Sequence, residues 1–109
     1  MKAKPVVPRE QAHRDVDDAV TYYLIEEAEA AALGFIDALE KAYSQIGRYP
    51  ATGSPRYAHE LNLPGLRSWP LTRYPSLVFY VERPDHIDVW RVLHGHSDIP
   101  AWMQEPDGS

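Results

Sequence analysis

A chain of 109 residues buries one core and not two, so a single domain is expected. Its apolar content of 44% and charged content of 25% are those of a folded globular protein, and the lack of cysteine excludes disulfides, thiolate metal ligands and a cysteine nucleophile while fitting a reducing compartment. The net charge of −5 is uneven: residues 1–47 carry five Lys/Arg against nine Asp/Glu and residues 48–99 six Arg against five Asp/Glu, a balance unlike the concentrated positive face of proteins that live on nucleic-acid phosphates.

The opening "MKAKPVVPREQ" has no long apolar run, and no stretch of about twenty apolar residues follows. Neither a signal peptide nor a membrane span is expected, which points to the cytoplasm. "KPVV" (Lys4 to Val7), closed by Pro8, predicts a short strand near a sheet edge, where proline is tolerated. From Arg9 the period changes. Val16, Ala19, Val20, Tyr23 and Leu24 recur at helical spacing, with Arg14, Asp15, Asp17 and Asp18 largely opposite. A second helical stripe holds Ala32, Phe35, Ile36, Leu39, Ala42, Tyr43 and Ile46, ended by Gly47. The two should pack as a helical hairpin. Gly34 inside the second helix costs about 1 kcal/mol against alanine, which suggests close approach of the two helix backbones.

"RYPATGSPRY" (Arg48 to Tyr57) reads as a loop. Three strands follow at Leu66 to Leu71, Ser76 to Glu82 and Ile87 to Leu93. "RPDH" between the last two suits a tight antiparallel turn. The expected fold is α+β: an N-terminal strand, a two-helix hairpin, then a three-stranded antiparallel meander. Residues 1–103 form the domain and 104–109 a disordered tail. Alternation places Ile87, Val89, Arg91 and Leu93 on one face of the last strand, and Asp88, Trp90, Val92 and His94 on the other. One sheet face should pack on the helices, leaving the other partly open to a partner.

"VWRVLHGHSDI" (Val89 to Ile99) gathers the chemistry-bearing side chains. His94-x-His96-x-Asp98 has the period of an extended chain with imidazole ligands, yet Gly95 and Ser97 break that extension, so neither a metal nor a cofactor is expected. His94 fits a strand-closing histidine bonded to a carbonyl or to Asp98. Arg91 among apolar neighbours needs a carboxylate such as Asp98 or Glu82, or else stands as an exposed cation. Asp15, Asp17 and Asp18 favour the first helix's dipole and solvate its outer face. No catalytic residue is assigned.

The order β-α-α-β-β-β, the loop "YPATGSP", the segments "LPGLRSWPL" and "YPSLVFYVE" and the ending "RVLHGHSDIPAWM" resemble the ParE branch of the ParE/RelE toxin superfamily, from about Pro5 to Met103. The resemblance implies a type II toxin–antitoxin toxin with a small antiparallel sheet beside a helical hairpin. It further implies inhibition of DNA gyrase, as in ParE-type members, or ribosome-dependent mRNA cleavage, as in RelE-type members. Either activity is held silent by a cognate antitoxin with a DNA-binding N-terminal part, in a toxin–antitoxin hetero-oligomer, and such modules serve plasmid stabilisation. RelE-type chemistry needs clustered cations and a late tyrosine. No lysine follows Lys41 here and no tyrosine follows Tyr80. His96 and Ser97 also stand where the family often has a basic residue.

A gyrase inhibitor that acts by binding is therefore the expected function, with no direct nucleic-acid contact. Candidate target or antitoxin contacts are Arg67, Arg73, Trp90, Arg91, His94 and Trp102. Tryptophans dominate contact energetics at interfaces, so Trp69, Trp90 and Trp102 are core or interface anchors, Trp102 foremost. Antitoxin-groove candidates are Tyr22, Tyr23, Phe35 and Leu39, Tyr22 being the most exposed of the interhelical aromatics.

Overall fold

The computed structural model describes residues 3–95 and 99–104 and, for Trp102 and Gln104, the backbone alone. The first strand, β1 (Val6–Pro8), starts two residues later than expected, because the backbone N–H of Lys4 donates to Gly47 O (3.0 Å) outside the sheet. Arg9 is the joint between sheet and helix. Its N–H donates to Val89 O (2.9 Å) while its own carbonyl accepts from His13 N–H (3.1 Å), so the chain leaves the ladder and enters α1 (Glu10–Glu26) within one residue.

At the far end of α1 the N–H groups of Glu27 and Ala28 both donate to Tyr23 O, and the carbonyl of extended Ala28 starts α2 (Glu29–Arg48). A tight helical hairpin results. The expected loop after it instead winds a 3₁₀ turn (Pro50–Thr52) and a short helix, α3 (Arg56–Leu61), which Asn62 closes in the left-handed conformation at φ 54°. Strands β2 (Leu66–Pro70), β3 (Ser76–Glu82) and β4 (Ile87–His94) follow, then α4 (Ile99–Gln104). Gln104, assigned to the tail by the sequence, thus ends a helix; residues 105–109 lie outside the described residues. Among the described residues no helix is long and apolar enough to cross a membrane.

The sheet order is β1-β4-β3-β2, with β1 parallel to β4 at the edge and the other pairs antiparallel. One departure controls everything near the site. Phe79 pairs with Arg91 and Tyr80 with Val89, which leaves Trp90 as an extra residue in β4. Strict alternation is thereby broken, because an inserted residue shifts the phase of all that follow. Val92 joins Ile87 and Val89 on the face packed against α1 and α2, whereas Leu93 joins Trp90 on the opposite face. The sequence-based faces of β4 are corrected beyond Val89.

The helix-side core holds Phe35, Ile46, Val78, Tyr80, Ile87 and Val89, each essentially inaccessible to water. Leu24, expected in that stripe, is exposed. The other sheet face, expected to be partly open, is covered. Leu66, Phe79, Val81, Leu93 and Ile99 are buried there beneath Tyr57, Leu61, Trp90 and Met103, so α3 and α4 supply a second, smaller core. Burial of this apolar surface, worth roughly 25 cal/mol per Å², is what holds these two short helices, each too short to persist alone.

Candidate functional site

The C-terminal half of α1, the residues joining it to α2, the β2–β3 turn and the end of β4 enclose an open concavity of about 770 Å³. Ala19, Tyr23, Ala31, Tyr74 and Val92 provide its apolar surface, Asp18, Tyr22 and Glu27 one wall, and Arg73 and His94 the opposite lip. The helical wall follows from spacing. Asp18 and Tyr22, and likewise Ala19 and Tyr23, stand four apart and therefore share one flank of α1, and Glu27 follows directly after the helix ends.

Tyr74 comes from the turn and fixes the floor. Its ring lies edge-on to Tyr23 at 5.2 Å and to Phe35 at 5.6 Å, and its hydroxyl donates to Ala31 O at 2.8 Å. A Cβ at position 34 would collide with that hydroxyl. Gly34 therefore makes room for Tyr74, which corrects the expectation that it lets the two helices approach. Burial pushes the Tyr23 phenol above its ordinary value, helped by the nearby Tyr74, Glu27 and Tyr22; at neutral pH it stays a neutral, buried aromatic side chain. Arg73 reaches the rim from a left-handed backbone, φ 70°, a conformation that costs a non-glycine residue about 1–2 kcal/mol.

Beneath the concavity lies a buried ion pair. Arg91 Nε and Nη2 each donate to the Asp15 carboxylate at 2.8 Å, and Val92 N–H donates to Asp15 Oδ2 at 3.0 Å. The two side chains are 7% and 8% exposed. Sequence reasoning placed Asp15 on a solvated face, and that is corrected: its carboxylate is buried where α1 packs on β4, against Arg91 and the Val92 backbone. Of the partners expected for Arg91, Glu82 takes Lys4 Nζ at 2.6 Å instead, and Asp98 lies outside the described residues. The same carboxylate contributes to Tyr43, whose phenol is pushed up to about 12 chiefly by burial.

The remaining expected contacts divide. Arg73 and His94 meet on one rim, with Tyr22 and Tyr23 facing them. Phe35 and Leu39 are buried in the helix-side core and do not line the concavity. Arg67 Nη1 donates to Gly53 O at 2.8 Å and holds the loop after α2. Trp69 packs on the helix-side core. Trp90 lies in the smaller core on the other sheet face, its indole N–H donating to Asp88 Oδ2 at 3.0 Å under the Arg9 guanidinium, 4.6 Å from the ring centroid. Asp88 also accepts from Arg9 and Arg83. Burial alone would raise its pKa, yet the hydrogen bonds from Arg9, Trp90 and Arg83 outweigh that and hold it below the usual carboxylate range. His96, Asp98 and the Trp102 side chain lie outside the described residues.

Sequence reasoning missed Asp18, Glu27, Ala31 and Tyr74 as lining residues. The four-residue spacing from Asp18 to Tyr22 on α1 carried a signal for the first; nothing local marked Tyr74, which a turn delivers across the fold. The charges that face the concavity are mixed, so it suits docking of a chain with its own pattern of charges better than gripping a phosphodiester, which needs convergent cations.

No curated protein matches the chain in sequence. A solved structure described as the chromosomal ParDE TA system from P. aeruginosa has a similar fold, with a TM-score of 0.70 at 17% identity over 84% of this chain and 96% of that one. The sequence profile described as the ParE toxin of the type II toxin-antitoxin system, parDE, matches residues 6–99. That match spans α1 to α3 and all four strands, and on it the chain belongs to the ParE toxin family of type II toxin–antitoxin systems.

Proposed function

We propose that this protein is a toxin that works by binding: it inhibits DNA gyrase in the cytoplasm and is silenced by a cognate antitoxin. The antitoxin has a DNA-binding N-terminal part and a further segment that fills the concavity between α1 and the end of β4. The observation that carries this reading, beyond family membership, is the charge pattern of that concavity. Arg73 and His94 face Asp18 and Glu27 across it, while Arg91 is committed to Asp15 below. Carboxylates so placed repel an RNA phosphate and weaken any cationic clamp on a scissile bond. An apolar floor rimmed by charges of both signs is what a folding-on-binding segment fits.

Three assays on the purified chain test the proposal. Gyrase supercoiling should stall at stoichiometric protein, and the protein encoded beside the toxin should restore it. Ribosome-bound message should remain intact; multiple cuts per added molecule would overturn the reading in favour of an mRNA endonuclease. Antitoxin binding with neither effect would instead identify a non-toxic member of the fold. Tyr22→Ala, which removes an exposed wall side chain, should weaken antitoxin binding about tenfold, the loss of roughly 1.4 kcal/mol.

A further inference from the structure

Asp18, Glu27 and Arg73 are exposed and form no ion pair among the described residues. This sets them apart from Asp15 and Asp88, whose carboxylates are saturated by arginine. With the Asp15 charge offset by Arg91, two carboxylates on the helical wall outweigh the single guanidinium on the lip. Tyr22 lines the same concavity, 56% exposed and edge-on to Tyr23 at 5.2 Å. Tyr23 in turn leans on Tyr74 at 5.2 Å. Aromatic rings flanked by carboxylates favour a cation twice over, through the ring quadrupole and through direct attraction. The field of the whole hairpin has the same sign, since residues 1–47 hold nine acids against five bases.

We infer that the concavity seats a basic side chain, arginine or lysine, of a partner peptide over Tyr22, within reach of Asp18 and Glu27, the peptide's flanking apolar residues lying on the half-buried Ala19, Ala31 and Tyr74. This deepens the proposed function by stating the chemistry of the segment the antitoxin inserts, and it rests on that reading only for naming the peptide's source. The polarity follows from charge complementarity. A purely acidic segment finds one unpaired guanidinium at Arg73 and two carboxylates opposing it, whereas a basic one finds two carboxylates and an aromatic wall.

The test uses the full-length chain and three synthetic peptides, Ac-Leu-Arg-Leu-NH2, its citrulline analogue and its glutamate analogue, titrated while the ring resonances of Tyr22, Tyr23 and Tyr74 are followed by NMR. The arginine peptide should shift those signals saturably, binding at least tenfold more tightly than the citrulline peptide, which has the same shape without the charge. The preference should collapse in 1 M salt. In an Asp18→Asn, Glu27→Gln double variant, folded as judged by circular dichroism, it should vanish. Equal binding of the citrulline peptide, tighter binding of the glutamate peptide, or an unchanged preference in the double variant would overturn the inference. Neither gyrase nor antitoxin enters this measurement, so a failed supercoiling assay removes the proposed function and leaves the cation seat standing, and the converse holds equally.

Discussion

Replacing Asp15 with alanine should be the most damaging single substitution outside the apolar core. The carboxylate accepts three hydrogen bonds, two from Arg91 and one from Val92 N–H, in a setting where both charged side chains are under a tenth exposed. Its removal strands the guanidinium, a loss of about 3–5 kcal/mol for one partner of a buried pair. It also orphans a backbone N–H, for about 1–3 kcal/mol more. A domain of this size has about 5–15 kcal/mol in total, so Asp15→Ala should unfold far below the wild-type urea midpoint or fail to fold. The instructive comparison is Asp15→Leu combined with Arg91→Met, which removes both charges and keeps volume. Such replacements are commonly neutral or better, so the double variant should recover to within about 1–3 kcal/mol of wild type, the remainder being the orphaned N–H. Urea unfolding followed by circular dichroism at constant m-value measures all of this. An Asp15→Ala cost below about 1 kcal/mol would refute the reasoning, as would a double variant no more stable than the single one.

Gly34→Ala should destabilise by about 1–3 kcal/mol through overpacking, although alanine is the better helix former, because its Cβ meets the Tyr74 hydroxyl. Adding Tyr74→Phe should recover part of the loss in thermal melts, and a second substitution that deepens the loss by its full single-variant cost would disprove the contact. Asp88 has a folded pKa held below the ordinary value, so its contribution is complete above the unfolded carboxylate's pKa of about 3.9 and is lost as pH falls through the lower folded value. Urea midpoints of the wild type should therefore drop below about pH 4, and Asp88→Asn should flatten that drop; parallel curves for the two proteins would sink the assignment.

Much of the fold was legible because its elements are set locally. Val16, Ala19 and Tyr23, or Phe35, Leu39 and Ile46, repeat at the helical period, and "SLVFYVE" and "IDVWRVL" are β-branched and aromatic runs bounded by turn residues. The short α3 and α4 escaped notice since six residues give no period to read; they are helical because they cap the apolar face carrying Leu66, Phe79 and Leu93. Of the residues singled out in the sequence, Arg73 and His94, taken by residue type, and the adjacent Tyr22 and Tyr23 line the concavity. Phe35 and Leu39 were placed in the groove wrongly, because periodicity identifies the buried flank of a helix without saying whether a cavity or a core lies against it.

The sequence by itself determined an α+β fold with an acidic helical hairpin and a late β-hairpin, since composition and short-range period suffice for that. Only the tertiary structure decided that Arg91 reaches back 76 residues to Asp15, that Gly34 serves Tyr74, and that Val92 faces the helices. The first depends on α1 packing against β4, the second on a turn crossing the fold and the third on a single extra residue in β4, and none leaves a mark in local spacing. A one-residue change of phase exchanges the two faces of a strand, so the sides that Val92 and Leu93 face were settled by the pairing of β3 with β4.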